Sequence, residues 1–409
     1  MHSFKSTTTT FRIEAVDALR GFALLGVLFA NIPYDRDPPV AGIFDESLPF
    51  LLDLLISKKF ITLFSILFGF GFYIQMSRAE KTGINFRKYF IKRMSLLFLI
   101  GTIHCFLLWD GDIIMSYAFG GLFLLLIRNW SIKKLVILAL IFNVFLTGFV
   151  FIGNSALEWR VYDYDYGLAL IWPTTNSYLE YLKVNFIMAP WVNFLNDMPI
   201  TLFYTFGNML IGLILGKLDF FSLPERLKKL TNIFIILGFS VGVLCSYFFH
   251  QVTTGAIDLD VPMLWVPFVL AAGMILQSLG YLALFIRLYQ KGIFNKILEW
   301  FKYVGKIALS NYIFQSVFYL VVFYHCTNMF QLFGKISLAE TYLIAFSFFL
   351  FQSFISYLWL KRKDQGSIEY WWKKMSHKQQ SKIKASKKLY QGILSENSDL
   401  DKLFKIVKV

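Results

Sequence analysis

Three groups of polar residues sit inside otherwise apolar runs, and each could do chemistry. The first is Asp17 with Arg20, in the run EAVDALRGFALLGVLFAN. Three residues apart, they share a helix face and neutralise each other. The guanidinium keeps donors beyond that pair, and its planar fork suits a carboxylate or phosphate. The second is His104, in GTIHCFLLWDGD, with Asp110 and Asp112 just beyond it. A carboxylate bonded to one imidazole nitrogen fixes the tautomer and leaves the other nitrogen as base or nucleophile. Spacing leaves open which aspartate does this. The third is Asn311 with Gln315, one turn apart in VGKIALSNYIFQS. Such amides either bond neighbouring helices together or orient an acyl donor or acceptor. Asn31, a lone polar residue at the far end of the first run, has the same two readings. His250 and His325 come from distant segments, and no metal site is expected.

These groups need a lipid-embedded scaffold. Of the 409 residues, 57% are hydrophobic and 16% charged, with 46 Phe. A soluble chain of this size cannot cover so much apolar surface, which excludes a soluble enzyme and a disordered chain. Three scattered cysteines exclude a disulfide framework. The apolar residues fall in runs of about 20 without alternation, so helices are predicted and not a barrel. An all-α, polytopic integral membrane protein follows, with about ten transmembrane helices: 14–33, 59–77, 89–109, 113–128, 133–153, 198–217, 230–250, 263–287, 304–325 and 340–360. The first is not a cleaved signal peptide, since Asp17 and Arg20 interrupt it and no small-x-small site follows.

The formal charge of +14 does not call for nucleic acid, because the basic residues cluster between the apolar runs. With the N-terminus inside, 33 of the 40 Lys and Arg lie on inward segments and 6 on outward ones. This bias predicts a cell inner membrane protein with both termini cytoplasmic. Residues 1–372 form the transmembrane domain, and 373–409 form a short, polar, basic helical tail suited to anionic lipid. Outside, 34–58 read as a short amphipathic stretch at the interface. Residues 154–197 carry Trp159, Tyr162, Tyr164, Tyr166, Trp172 and Trp191, either an interfacial aromatic belt or a stacking platform. Ser65, Gly69 and Gly71 in LFSILFGFG mark close helix packing.

Five motifs in order make the chain resemble the YeiB-type family of bacterial membrane proteins, the domain-of-unknown-function 418 family. Asp17, Arg20, Gly21, Ala23, Gly26 and Asn31 are similar to its D-x-x-R-G opening. The run from Leu63 to Gly71 is similar to its LFS-x-LFG-x-G. Gly101, His104, Gly111, Asp112, Tyr117, Ala118 and Gly121 follow its G-x-x-H…GD…YA-x-x-G stretch. Gly305, Ala308, Leu309, Asn311, Tyr312, Gln315 and Ser316 match its C-terminal NY-x-x-QS region. Gly366, Glu369 and Trp372 match its closing motif, with Ser367 in place of proline. The family resembles in turn a wider superfamily of membrane acyltransferases, which includes sugar O-acetyltransferases and the lysosomal heparan glucosaminide N-acetyltransferase. Those carry a histidine at the outer end of the first span or in the first external loop. Here Asn31 stands at the first position, and the loop has no histidine.

The resemblance implies an acyltransferase. Cytoplasmic acyl-CoA, most simply acetyl-CoA, would be a co-substrate and not a tightly bound cofactor. It would dock near Arg20 and Asp17, with Asn31, Asn311 and Gln315 helping to bind substrate. His104, oriented by Asp110 or Asp112, would be catalytic, and the acceptor an external envelope glycan, lipid or peptide. A transporter or flippase, and a non-catalytic envelope-stress or self-protection protein, are the alternatives. The bilayer is an expected partner, and a homodimer is one arrangement the chain could adopt.

Overall fold

The computed structural model describes residues 4–33, 42–109, 111–147, 174–191, 198–222, 227–254, 256–257, 266–293 and 295–376, and among these there is no strand. Hydrocarbon offers no partner for a backbone amide, so a spanning segment must close its own hydrogen bonds, as a helix does. The helices are α1 (Phe4–Asn31), α2 (Ile43–Leu55), α3 (Lys59–Thr82), α4 (Phe86–Leu107), α5 (Ile114–Ile127) and α6 (Ile132–Leu140). They continue with α7 (Tyr178–Trp191), α8 (Met198–Lys217), α9 (Lys228–Leu237), α10 (Val243–Thr253) and α11 (Val266–Gln290). The last are α12 (Asn295–Lys306), α13 (Ala308–Val322), α14 (Leu338–Arg362) and α15, residues 367–376. A π turn, Gly238–Gly242, joins α9 to α10, and another, Ile141–Leu146, extends α6.

Among the described residues four helices are long and apolar enough to cross a membrane: Phe86–Leu107, Lys228–Val252, Phe268–Gln290 and Leu338–Arg362. Shorter apolar helices, Ile114–Ile127, Thr201–Lys217 and Ala308–Val322, accompany them. The outer surface of these helices is greasy: Leu126 is 72%, Ile236 65% and Leu343 65% exposed. A water-facing helix does not present such a surface repeatedly, and a lipid-facing one does. Among the described residues the chain is all-helical, and its apolar helices make it a membrane protein.

Glycine sets how closely the helices approach. A β-carbon on Gly21 would fall 1.9 Å from the Phe301 carbonyl oxygen, and one on Gly305 would fall 1.8 Å from that of Asp17. Helices α1 and α12 therefore touch backbone to backbone through a reciprocal glycine pair. Gly69 of α3 and Gly212 of α8 do the same, at 2.0 Å from Met209 O and 1.9 Å from Ile66 O. Lipid tails are as apolar as Leu, so close van der Waals contact of this kind drives association within a bilayer. The small-residue run in α3 thus packs as expected at Gly69. Ser65 instead bonds Tyr117 Oη at 2.9 Å, and Gly71 leaves room for Arg20, whose Nη2 would lie 3.2 Å from a β-carbon there. Around α1 stand α3, α11, α12, α13 and α14, with Leu19, Leu24 and Leu28 fully buried.

The span expected over 304–325 is α13, Ala308–Val322, and only its first three residues fall in α12. Ile307, at φ −120° and ψ 45°, separates α12 from α13. A new helix start leaves amides without partners, and Glu369 of α15 supplies them. Its Oε1 accepts from Ser310 N at 2.9 Å and its Oε2 from Ser310 Oγ at 2.5 Å. The amphipathic stretch expected within 34–58 is α2. Its Asp45 accepts from Ala339 N at 2.7 Å and from Gly42 N, so one carboxylate caps α14 and α2 together. Those amides, Ala339 foremost, hold the Asp45 carboxyl below its usual range.

Candidate active site

His104 lies one turn from the end of α4 and is 1% exposed. Its Nδ1 is 2.7 Å from Asp112 Oδ2, and its Nε2 is 2.8 Å from Ser316 Oγ on α13. The Asp112 side chain is fully buried, and its Oδ1 accepts from Met115 N at 2.8 Å. A buried carboxylate is tolerable only when its oxygens are bonded in this way. A carboxylate oxygen accepts, so Nδ1 is the donor in this pair. Nε2 is left as an acceptor, and the Ser316 hydroxyl donates to it. The order is carboxylate, imidazole, hydroxyl, which is the arrangement of a nucleophile with its base and the group that orients the base.

Local structure explains why these groups meet. A β-carbon on Gly101 would be 2.8 Å from Met115 N and 3.0 Å from Asp112 Oδ1, so Gly101 lets the start of α5 lie against α4. The last carbonyls of α4, which no helical amide can reach, are taken by α7. Tyr178 Oη donates to Leu107 O at 2.7 Å and Tyr181 Oη to Leu108 O at 2.8 Å. Asn185 Nδ2 donates to Cys105 O at 2.8 Å and Phe106 O at 2.9 Å. The described part of the 154–197 segment therefore clamps the turn that carries His104. Trp159, Tyr162, Tyr164, Tyr166 and Trp172 lie outside the described residues, as does Asp110.

A cavity of about 260 Å³ approaches this group from one end of the bundle. Its mouth carries Arg20, Arg93, Lys306, Gln75 and Glu369; its walls are apolar, with Phe68, Phe72 and Leu97 among them; its inner end is Ile113, Tyr117 and Tyr312. Gln75 and Arg93 also line a second groove, with Arg78 and Lys373. Arg20, Arg93 and Lys306 outnumber Glu369 at the mouth, and Arg78 and Lys373 lie in the adjoining groove, so this end suits an anion. Arg93 is held with its guanidinium 3.5 Å over the Trp372 ring, and Trp372 Nε1 donates to Arg93 O at 2.8 Å. The Tyr312 ring lies 5.2 Å from the His104 ring and divides it from the cavity.

The other expected residues separate into two groups. Arg20 lines the cavity while its Nη1 donates to Asp17 Oδ1 at 2.8 Å, and Asp17 stays behind it. Asn311 and Gln315 bond other helices instead. Asn311 Nδ2 donates to Val304 O and Ser356 Oγ, both at 3.0 Å, and Gln315 Nε2 to Gln352 Oε1 at 3.0 Å. Asn31 ends α1 half-buried and does not join the His104 group. Ser316 was missed as a site residue. It lies 212 residues from His104, and its one signal was its place at the end of the NY-x-x-QS motif. Among the described residues no cluster of His, Cys, Asp and Glu could hold a metal ion.

The family model for a protein of unknown function, DUF418, matches residues 215–379, from the end of α8 through α15. The Escherichia coli (strain K12) protein described as uncharacterized protein YeiB is 27% identical across 89% of this chain and 96% of its own. Uncharacterized protein YxaH of Bacillus subtilis (strain 168) is 29% identical across 92% and 97%. Over its C-terminal part by the family model and over most of its length by these relatives, the chain is similar to the YeiB-type DUF418 proteins. A Bacillus acidopullulyticus protein, described by its place in the amylase 3′ region, is 26% identical across 90% of this chain. No solved structure matches. The YeiB-type motifs now have physical content in this chain. G-x-x-H and GD bring His104 to Asp112, NY-x-x-QS brings Tyr312 and Ser316 to His104, and the closing motif sets Glu369 on α13 and Trp372 under Arg93.

Proposed function

We propose that the chain is an acyl-CoA-dependent acyltransferase of the inner membrane, with ten spans and both termini cytoplasmic. The observation that carries the reading is His104, bonded on both ring nitrogens and set one side chain beyond the inner end of a basic-mouthed cavity. The positive-inside bias supports a cytoplasmic mouth. The phosphates of CoA then meet Arg20, Arg93 and Lys306, and the thioester extends along the apolar wall toward Tyr312. An acceptor hydroxyl or amine arrives from the opposite side, and His104 removes its proton as it attacks the acyl carbonyl. The bilayer holds the enzyme, and the acceptor is a glycan, lipid or peptide of the envelope.

The break at Ile307 gives the transporter reading one point of support, because discontinuous helices mark transporter binding sites. In such a site the new helix N-terminus faces the substrate. Here Glu369 fills it, which favours the enzyme.

Two experiments test this reading. Arg20→Lys keeps the charge and loses the planar fork, and a hydrogen bond to a charged group is worth about 1.5–3 kcal/mol. Acetyl-CoA affinity, measured by calorimetry on purified protein, falls at least about tenfold while the detergent-solubilised protein stays monodisperse. Unchanged affinity removes Arg20 from the donor site. For topology, reporter fusions after Arg93, Lys134, Lys229 and Lys302 read cytoplasmic, and those near Asp45, Trp172 and Asp258 read external. Two reversed sites defeat the ten-span arrangement.

A further inference from the structure

A serine inside a helix usually turns its hydroxyl back onto the carbonyl four residues earlier. Ser65 does so toward Ile61, Ser278 toward Met274 and Ser353 toward Phe349. Ser316 gives its hydroxyl to His104 Nε2 instead. That hydroxyl is buried, with residue exposure of 1%, and it ends a hydrogen-bonded line that starts at a buried carboxylate. One turn earlier on the same helix face, Tyr312 lines the cavity. Its hydroxyl oxygen is buried against the Ile113 backbone amide, and its proton meets no acceptor with hydrogen-bond geometry. An orphaned buried donor is costly unless something fills it. A carbonyl oxygen arriving through the cavity is such a group.

We infer that Ser316 is a covalent acyl carrier and that transfer proceeds in two displacements; this rests on the acyltransferase reading. In the first, Ser316 Oγ attacks the thioester carbonyl carbon of the acyl-CoA. The Oγ–C bond forms and the C–S bond breaks. The hydroxyl proton passes to His104 Nε2, where the Asp112 carboxylate stabilises the imidazolium, and then to the departing thiolate. Tyr312 Oη donates to the oxyanion while it exists. CoA leaves as its thiol through the mouth it entered by. In the second, an acceptor hydroxyl or amine attacks the seryl ester carbonyl. Its proton goes to His104 Nε2, the acyl–Oγ bond breaks, and Ser316 takes the proton back. No oxidant or further reactant is needed. The carrier also answers a geometric difficulty. A site buried between two faces of a membrane need never hold the donor from one face and the acceptor from the other at once.

The test uses purified full-length protein without acceptor, mixed in turn with acetyl-CoA and palmitoyl-CoA, and followed by thiol release and peptide mass spectrometry. The expected result is one thiol released per chain in a burst, with one of the acyl groups esterified to Ser316. Ser316→Ala abolishes the burst, and His104→Gln slows it at least a hundredfold. Ser316→Cys keeps the volume and an acylatable atom, so it traps a thioester that neutral hydroxylamine removes; it decides the matter if the alanine variant does not fold. Acceptor acylation by Ser316→Ala at the wild-type rate, or acyl label on another residue, overturns the carrier and leaves the acyltransferase standing. No thiol release by the wild type with either thioester, alone or with envelope extract as acceptor, overturns both.

Discussion

Replacing His104 with glutamine lowers acyl transfer at least about a hundredfold, with protein level and the detergent elution profile unchanged. Glutamine keeps a donor for Asp112 and most of the volume, so the buried carboxylate is not stranded. It cannot take up a proton, and loss of a general base typically costs about 10²–10⁴-fold. Asp112→Asn costs less, because the imidazole remains, but the neutral amide no longer stabilises the imidazolium or fixes the tautomer. The contrast separates chemistry from bonding between helices. If His104 served only to join α4 to α13 through Ser316, glutamine could make the same bond. A His104→Gln protein with full transfer would place the reaction elsewhere and move the transporter reading ahead.

The second large effect is structural. Gly305→Ala puts a methyl group 1.8 Å from the Asp17 carbonyl oxygen and 2.6 Å from Gly21 N. Both are backbone atoms, so no side chain can rotate away. Ordinary overpacking costs about 1–3 kcal/mol, and a forced separation of two helix backbones lies at or above the top of that range. The expected result is loss of most folded protein, read as a collapse of the monodisperse peak or a large fall in Tm. Gly71→Ala is the control. Its nearest neighbour is the end of the Arg20 side chain at 3.2 Å, so the protein folds normally and only ligand binding at Arg20 changes. A Gly305→Ala protein as stable as wild type would mean that α1 and α12 do not touch as described.

Much of this molecule is legible from residue order, because hydrophobic run length is a local property. The run read at 340–360 is α14 at Leu338–Arg362, and that at 113–128 is α5 at Ile114–Ile127. What escaped depends on partners remote in sequence. Nothing near Ile307 announces a break, since the carboxylate that makes it tolerable comes from Glu369, 59 residues beyond Ser310. Helix α7 lay within a segment whose aromatics suggested an interface, while its actual work is done by Tyr178, Tyr181 and Asn185 on the end of α4. The pairing of His104 with a carboxylate was readable, because Asp112 is eight residues away. Ser316 was not, because a hydroxyl on another helix has no spacing relation to an imidazole. Asn311 and Gln315 show the converse: their spacing on one face was read correctly, but spacing cannot say whether that face meets a ligand or another helix.

The most direct test of the acyl-transfer account uses inverted inner-membrane vesicles, which expose the cytoplasmic face and retain envelope acceptors. The vesicles receive an acyl-CoA labelled separately in the acyl group and in the CoA. The account predicts that acyl label becomes fixed to vesicle material while CoA label stays outside, and that His104→Gln abolishes the separation. Two labels that enter together, or that both remain in the medium, would contradict it.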